Sequence, residues 1–389
     1  MQTPSGFGRR NFLQASAGAA LATALPASAG AAGDVRARKP FIIDTLGSIS
    51  NPNLGIDDDV LAVDARSLAD ARAAGLTAFN QTIGYVAGPG DPFEASVKAV
   101  GEWDALIRKN PKDLLKVFTA ADLHAAHASG RVGVILGFQN AVMMGQDPKR
   151  VELFSNLGVR VIQLTYNVHN PLGDGATVKE DHGLTPFGRE VVAELNRSRV
   201  LVDLSHSGEQ TCLDAISASS TPIAITHTGC RAVADLPRNK SDQELRLLAE
   251  KGGVAGIYFM PFLAIDRQPM ARDLIAHVEH ALNVCGEDHV SIGTDGALPR
   301  VDDLPKFYEA LKKEVEARKA AGIGAPGERA DIVTFLPDLQ GPDKFWRLAG
   351  LLQARGHKAR VIDKVLGGNF LRLAATVWGN AGEKTVSKL

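Results

Sequence analysis

The stretch Val200-Leu201-Val202-Asp203-Leu204-Ser205-His206 is a short apolar run that ends in polar side chains. Continuous apolar runs rich in β-branched residues are typical of strands buried on both faces of a parallel sheet. Two further runs have the same ending, Ile223-Ala224-Ile225-Thr226-His227 and Val290-Ser291-Ile292-Gly293-Thr294-Asp295. Each of the three therefore predicts a buried strand with a polar side chain at its carboxyl end.

Eight such runs alternate with helical patterns, of which residues 186–196, with Thr185 as N-cap and Pro186 in the first turn, are the clearest. Eight strand–helix alternations over roughly 250 residues predict a (β/α)8 barrel, the TIM barrel, as one domain over residues 34–389. A doubly wound open sheet is the alternative, but no GxGxxG follows the first run. The other five runs are Phe41-Ile42-Ile43, Leu76-Thr77-Ala78-Phe79, Val132-Gly133-Val134-Ile135-Leu136, Val159-Arg160-Val161-Ile162-Gln163-Leu164 and Val254-Ala255-Gly256-Ile257-Tyr258.

The composition excludes several classes of protein. Of the 389 residues, 45% are hydrophobic and 22% are charged, which is typical of a soluble globular chain and excludes extensive disorder. The chain has 43 Lys and Arg residues and 44 Asp and Glu residues, so its net charge is −1. It therefore lacks the excess of positive charge that favours nucleic-acid binding. Three scattered cysteines, Cys212, Cys230 and Cys285, are too few for a disulfide framework or a CxxC metal site.

Residues 1–33 have the pattern of a twin-arginine signal peptide. Arg9-Arg10 precedes a small-residue apolar stretch at residues 15–25, and Ala27-Ser28-Ala29 suits cleavage by signal peptidase. The apolar stretch is shorter than the about 20 residues that a membrane span requires, and no later stretch is long enough. We therefore expect export by the twin-arginine machinery to the periplasm or the exterior, with no membrane span. A basic disordered N-terminus is the alternative.

Polar side chains at the strand ends predict the site, because the chemistry of such barrels lies at the carboxyl ends of the strands. His206, His227 and Asp295 each follow a predicted strand, and imidazole and carboxylate are ligands of catalytic zinc-type ions. The alternative for each histidine is a buried side chain with satisfied hydrogen bonds. The complete set of strand-end residues is Asp44, Asn80, Gln139, Tyr166, His206, His227, Phe259 and Asp295.

The remaining histidines are weaker candidates. His124 and His127 lie three residues apart in a predicted helix, as do His277 and His280, and we expect both pairs to face solvent. A polar loop at residues 167–183 is long enough to form part of a substrate lid. The Lys- and Glu-rich residues 306–319 predict a solvated helix. Neither a GxSxG elbow nor a P-loop occurs in the sequence.

Several specific motifs occur in order along the chain: Gly183-Leu184-Thr185-Pro186-Phe187-Gly188, Asn196, Asp203-Leu204-Ser205-His206, Pro237-Arg238-Asn239, Lys251-Gly252-Gly253-Val254 and Leu366-Gly367-Gly368-Asn369. With them the chain resembles the membrane (renal) dipeptidase family of metallopeptidases, from about Phe41 to about Leu373. The resemblance implies a (β/α)8 barrel, dipeptide hydrolysis, two zinc ions at the barrel mouth and a homodimer.

At the matching positions, the resemblance implies that His206 and His227 bind one zinc ion. Asp295 matches a carboxylate associated with the other ion. Arg238 matches the arginine that holds the terminal carboxylate of the substrate, which suits a guanidinium fork. We assign its neighbour Asn239, in the same motif, to substrate binding as well.

Four positions depart from the family. Leu46 and Ser48 stand where the first strand of the family carries a zinc-binding His-x-Asp, and Asp44 alone remains just upstream. Gln139 replaces the glutamate that bridges the two ions, and Tyr166 replaces a histidine near the substrate. Leucine cannot bind a cation and a neutral amide bridges two dications poorly, so the two-zinc site cannot be assembled as such.

The sequence therefore predicts a hydrolase with one zinc or other divalent ion per chain. His206, His227 and Gln139 are its expected ligands together with water, and Asp295 is the expected proton acceptor. Arg238, Tyr166 and Asn239 are expected to bind a dipeptide or similar small amide. Two alternatives stay open, a non-catalytic protein that kept the pocket and a different reaction on the same barrel.

Overall fold

The computed structural model describes residues 35–54 and 63–379. The signal peptide predicted at residues 1–33 lies outside this part of the chain. Within it, no helix is both long and apolar enough to cross a membrane. All three cysteines are buried and none forms a disulfide.

The eight apolar runs form a ring of parallel strands in the predicted order, which confirms the (β/α)8 barrel. Except between the last strand and the first, each strand pairs in parallel with the next strand of the ring, as Ala78 does with Gly133 and Val161 with Leu201. The strands are β1 Ile43–Asp44, β2 Ala78–Thr82, β3 Leu114–Lys116, β4 Val132–Phe138, β5 Val159–Gln163, β6 Leu201–Asp203, β7 Ala224–Thr228, β8 Val254–Ile257 and β9 Val290–Ile292.

Strand β3 is an addition that the sequence did not predict. It pairs with residues 132–134 of β4, and β5 pairs with residues 136–138 of the same strand. Its three residues are Leu114, Leu115 and Lys116, of which only the first is buried. So short a run cannot be told from a loop by its pattern, and the pairing itself defines it as a strand.

Helices follow the strands around the barrel. The N-cap predicted at Thr185 is confirmed, because its side chain accepts a hydrogen bond from the Gly188 backbone. The helices are α1 Ala65–Ala73, α2 Pro92–Lys109, α3 Ala120–Ser129, α4 Arg150–Asn156, α5 Pro186–Arg197, α6 Glu209–Ala218, α7 Asp242–Glu250, α8 Ala271–Cys285, α9 Leu304–Ala320, α10 Lys344–Ala354, α11 Ala359–Asp363 and α12 Asn369–Trp378.

The C-terminal helix α12 closes the amino-terminal end of the barrel. Phe370 and Leu373 pack in one apolar cluster with residues near the starts of strands, such as Leu201 and Val254. A kink at Gly367 leads into this helix, and a Cβ there would lie 2.6 Å from the Phe41 carbonyl oxygen. The absence of a side chain therefore lets the chain turn against β1 and place α12 under the barrel.

Hydrogen bonds between the segments that follow β1 and β9 close the ring. The Thr45 backbone donates to the Ile292 carbonyl at 2.9 Å, and the Asp295 backbone donates to the Leu46 carbonyl at 2.8 Å. The Thr45 hydroxyl lies inside the barrel and contacts the carbonyls of Thr226 and Ile292 at 2.5 and 2.9 Å. A Cβ at Gly293 would lie 2.0 Å from that Thr226 oxygen, so only glycine fits there.

The structure corrects the expectation for His277, which is fully buried rather than solvent-facing. Its Nδ1 accepts a hydrogen bond from the Cys230 backbone at 2.8 Å, and its Nε2 donates to the Leu263 carbonyl at 3.1 Å. Burial lowers its pKa to about 4, so the ring is neutral. This histidine joins α8 to the loops after β7 and β8.

The barrel closure makes stability depend on pH through Asp44. Its carboxyl is buried and accepts hydrogen bonds from the Thr294 backbone and hydroxyl at 2.8 and 2.6 Å. Burial raises its pKa from 3.8 to about 6, against the opposing charge of Lys344. A raised pKa in the folded state stabilises the fold at low pH, and this contribution is lost as the pH rises through about 6.

We expect the Asp44→Asn variant, whose amide mimics the protonated carboxyl, not to lose stability in this way as the pH rises. The free energy of unfolding of the wild type, relative to that of the variant, should fall by about 2 kcal/mol between pH 4 and pH 7. Urea unfolding of both proteins across this range measures the difference. A difference that does not change with pH would contradict the assignment.

Candidate metal and substrate site

His206 and His227 meet at the carboxyl end of the barrel, as the sequence predicted. His227 lies within β7, and His206 lies three residues after the end of β6. Their ring centroids are 4.9 Å apart with the planes inclined by 60°. Both rings are buried, at 5% exposure for His206 and 0% for His227.

The hydrogen bonds of His206 fix its tautomer. Its Nδ1 lies 2.6 Å from Asn167 Oδ1, and the Asn167 amide donates through Nδ2 to the Ile323 carbonyl at 2.8 Å. The amide orientation is therefore set, and Oδ1 is an acceptor. His206 must donate from Nδ1, which leaves the lone pair of Nε2 free.

His227 has the same tautomer for a different reason. Its Nδ1 lies 2.9 Å from the Thr226 hydroxyl oxygen, and that hydroxyl donates to Asp203 at 2.7 Å. The hydroxyl has one proton, so it accepts from Nδ1 of His227. The Nε2 atom is buried without a hydrogen-bond partner and lies 4.0 Å from an Asp295 carboxyl oxygen.

Both imidazoles are neutral. Burial, reinforced by the charge of Arg238, holds the pKa of His206 and of His227 well below the usual range. A neutral imidazole with one N–H held and the other nitrogen free is the form in which histidine binds a metal ion. Each of the two side chains thus has one nitrogen lone pair available to a ligand.

Asp295 borders this space from the segment after β9. Its backbone adopts a left-handed conformation with φ of 53°, which is uncommon for a residue other than glycine. Burial raises the pKa of its carboxyl to about 7, although the positive charges of Arg238 and Arg318 act to lower it. The side chain is 23% exposed and lines the cavity described below. A carboxyl that titrates near neutral pH is suited to exchange a proton with a substrate or a water molecule.

Arg238 contributes a buried guanidinium. Its side chain is 1% exposed, Nη1 donates to the Ser205 carbonyl, and Nη2 is buried with no hydrogen-bond partner. Asp242, one neighbouring acid that could have neutralised it, pairs instead with Arg246 and His280. No carboxylate of the described residues forms an ion pair with Arg238, so the group can accept an anionic ligand.

Tyr166 stacks on His206, with centroids 4.2 Å apart and planes inclined by 25°. The Arg318 guanidinium lies 5.7 Å from the tyrosine ring. Burial raises the pKa of Tyr166, so the hydroxyl stays protonated and can donate a hydrogen bond. Tyr166 is therefore part of the wall that orients His206.

Arg318 is a residue of the site that the sequence pattern does not predict. It belongs to α9, in the Lys- and Glu-rich stretch predicted to be a solvated helix, and two bonds of 3.0 and 2.7 Å join it to Glu328. No local signal separates this arginine from its solvated neighbours, because only the return of the helix over the barrel mouth turns it inward.

One cavity of about 210 Å³ is bordered by His206, Asp295 and Arg238 together with Tyr166 and Arg318, whereas the fully buried His227 is not among its lining residues. A smaller cavity of about 90 Å³ adjoins it and shares Asp295 and Thr334. The larger cavity is lined by Tyr166, His206, Arg238, Met260, Pro261, Phe262, Asp295, Leu311, Glu314, Val315, Arg318, Glu328, Arg329, Ile332 and Thr334.

Besides His227, two further assigned residues, Asn239 and Gln139, do not line this cavity. Asn239 is fully buried, its amide donates to the Ala234 and Phe262 carbonyls, and its oxygen accepts from the Tyr258 hydroxyl at 2.5 Å. It therefore supports the loop of Arg238 from behind. Gln139 follows β4, and its backbone carbonyl accepts a hydrogen bond from Gln163 at 2.6 Å. Its side chain forms no hydrogen bond with either histidine, so its role as a ligand stays a prediction.

Comparison with known proteins identifies the family and the fold of this chain. The membrane dipeptidase family, peptidase family M19, matches residues 80–323. A solved amidohydrolase of Pseudomonas aeruginosa is 30% identical, with a TM-score of 0.77 over 90% of this chain and 99% of that one. A metallopeptidase of Rhodobacter sphaeroides shares the fold at 21% identity and a TM-score of 0.69, over 87% of this chain and 99% of that one.

Curated relatives extend the comparison. An uncharacterised protein in the pqqA 5′ region of Klebsiella pneumoniae is 26% identical over 75% of this chain and 98% of its own length. The dipeptidase tcpJ of Claviceps purpurea is 28% identical over 66% of this chain, which spans only 54% of that longer protein. The family match covers more than half of the chain, and the chain therefore belongs to the membrane dipeptidase family of hydrolases, peptidase family M19.

Proposed function

We propose that this protein hydrolyses a dipeptide or a similar small amide with a free carboxylate, using one divalent metal ion per chain, with zinc as the expected ion. The observation that carries the proposal is the convergence of two neutral imidazoles, a carboxyl with a pKa of about 7 and an unpaired guanidinium on one space. Relatives named dipeptidases support the substrate class.

The donor set fits one ion better than two. The orphaned, buried Nε2 of His227 and the free Nε2 of His206 are two nitrogen donors of the kind that zinc prefers. The Gln139 amide oxygen and water are the proposed further donors, since Leu46 is apolar and buried. A divalent ion held there would supply Lewis acidity towards the amide carbonyl.

The side chains of this chain divide the remaining tasks. Arg238 binds the substrate carboxylate through Nη2 while its Nη1 stays anchored to Ser205. Asp295 accepts the proton of the attacking water and returns it to the leaving amine, which its raised pKa permits at neutral pH. Tyr166 remains protonated and shields His206 from bulk water.

Ligand binding without catalysis is the second candidate function, and one observation favours it. Among residues 35–54 and 63–379, no group of three His, Cys, Asp or Glu side chains is arranged to hold an ion. Metal analysis of the purified protein separates the candidates: about one ion per chain supports the hydrolase, and none supports the binding protein. A dipeptide screen then tests for a different reaction on the same barrel.

Substitution of either histidine tests the metal site. We expect His206→Ala and His227→Ala each to lose most bound metal and at least about a hundredfold in kcat/KM, because one imidazole holds an ion poorly. Elemental analysis and dipeptide hydrolysis measure the two effects. The exposed His124→Ala variant is the control and should keep both. Full metal occupancy in both site variants would rule out this site.

The Asp295→Asn variant separates ligation from proton transfer. It should retain most of the metal but lose most of its turnover, since the amide cannot accept the proton. Metal content and kcat are measured on the same preparation. A parallel loss of metal and activity would instead make Asp295 a ligand.

Arg238→Ala tests recognition of the carboxylate. A charge-assisted hydrogen bond contributes about 1.5–3 kcal/mol, so kcat/KM for a free dipeptide should fall about tenfold to a hundredfold. The same substitution should have little effect on a substrate with an amidated C-terminus, which lacks the partner. Arg246→Ala removes an exposed arginine as the control. Equal losses on both substrates would remove Arg238 from substrate binding.

We also propose that the twin-arginine route exports the chain to the periplasm. Replacement of Arg9 and Arg10 together by lysine should leave the protein in the cytoplasm with its N-terminal segment uncleaved, because the receptor recognises the arginine pair. Fractionation and N-terminal sequencing measure the outcome. Normal processing of this double variant would show that another route is used. A homodimer, which the family resemblance implies, remains a proposal that sedimentation can test.

A further inference from the structure

A third cavity, of about 440 Å³, lies at the opposite end of the barrel from the candidate site. Its wall includes Lys39, Thr77 and Arg131, each of which shortly precedes a barrel strand. Trp346 of α10 and Arg72 and Ala73 of α1 line it as well. We call this cavity the basal groove. The residues that line it do not overlap with those of the candidate site.

The basal groove is strongly basic. Arg36, Lys39, Arg72 and Arg131 all line it. Of these four, only Arg72 has a carboxylate partner among the described residues, namely Asp113. Arg36 lies over the Trp346 ring at 5.0 Å, and Arg131 donates to the Ser129 hydroxyl at 3.2 Å. Three cations therefore share one concave surface without a counter-ion from this part of the chain.

The floor of the groove carries polar groups held in place. His127 stacks on Phe41 at 4.1 Å, and its Nδ1 lies 3.2 Å from the Thr77 hydroxyl. The Trp346 side chain is 6% exposed, and its indole N–H is buried with no acceptor. Burial, together with the charges of His124 and Lys39, lowers the pKa of His127, consistent with a positive potential in the groove.

We propose that the basal groove binds a phosphoryl anion, either as a free phosphorylated small molecule or as an anionic phospholipid headgroup. Guanidinium groups match the geometry of phosphate oxygens, and an unneutralised set of three cations suits a multivalent anion better than a single carboxylate. The site is independent of the metal and of hydrolysis.

Titration calorimetry with inorganic pyrophosphate tests the proposal on the purified full chain. We expect saturable binding of one anion per chain at low salt, weakened at least about tenfold in Arg131→Glu. Ala73 is exposed on α1 and lines the groove, so Ala73→Trp fills it without a change of charge and should also weaken binding. Arg272→Glu makes the same charge change at an exposed position outside the groove and should leave binding intact.

Sedimentation with vesicles of phosphatidylglycerol, against vesicles of phosphatidylcholine alone, distinguishes the two sources of the anion. Binding to pyrophosphate without binding to vesicles assigns a free ligand, and binding to the anionic vesicles that Arg131→Glu and Ala73→Trp both weaken assigns a headgroup. Absence of saturable binding to either probe would overturn the proposal. So would binding that Ala73→Trp leaves unchanged, since the charge alone would then attract the anion without the groove.

Discussion

The buried carboxylate of Asp203 organises the candidate site. It accepts hydrogen bonds from the backbone and hydroxyl of Ser205 at 3.1 and 2.5 Å, and from those of Thr226 at 2.9 and 2.7 Å. The Thr226 hydroxyl then holds Nδ1 of His227, and the Ser205 carbonyl holds Arg238. One carboxylate at the end of β6 thus fixes the tautomer of a histidine on β7 and the guanidinium of the following loop. Both depend on bonds within the barrel wall rather than on a ligand.

Charge balance constrains the barrel mouth. Arg238 is a buried cation without an ion-pair partner in the described chain, and burial raises the pKa of Asp44, Asp203 and Asp295. An unpaired buried charge destabilises a fold unless hydrogen bonds or a ligand compensate for it. The unpartnered Nη2 of Arg238 is therefore an attachment point for an anion. His206 and His227 stay neutral because their own burial and the positive charge of Arg238 both disfavour protonation.

Leu46 and Ser48, which stand after β1 in place of the metal ligands of the resembled family, help to close the barrel. Leu46 is 4% exposed, and its carbonyl accepts the backbone of Asp295. Ser48 pairs with Ala297 across the same junction, and Asp44 binds Thr294. Positions that carry metal ligands in the resembled family here contribute to the closure of the ring between β1 and β9. His206, after β6, and His227, within β7, keep their own hydrogen-bond partners, Asn167 and Thr226.

The sequence by itself determined the eight barrel strands, because a buried parallel strand needs a continuous apolar run and each run carries that signal locally. It also predicted that His206, His227 and Asp295 converge, since the carboxyl ends of parallel strands meet at one end of a barrel. Strand β3, the buried position of His277 and the inward turn of Arg318 were not predictable from the pattern. The same holds for Asn239, whose amide is engaged inside the protein rather than in the cavity. Each of these depends on partners distant in the sequence, and only the tertiary structure decides which side of an element faces a cavity, a neighbouring loop or solvent.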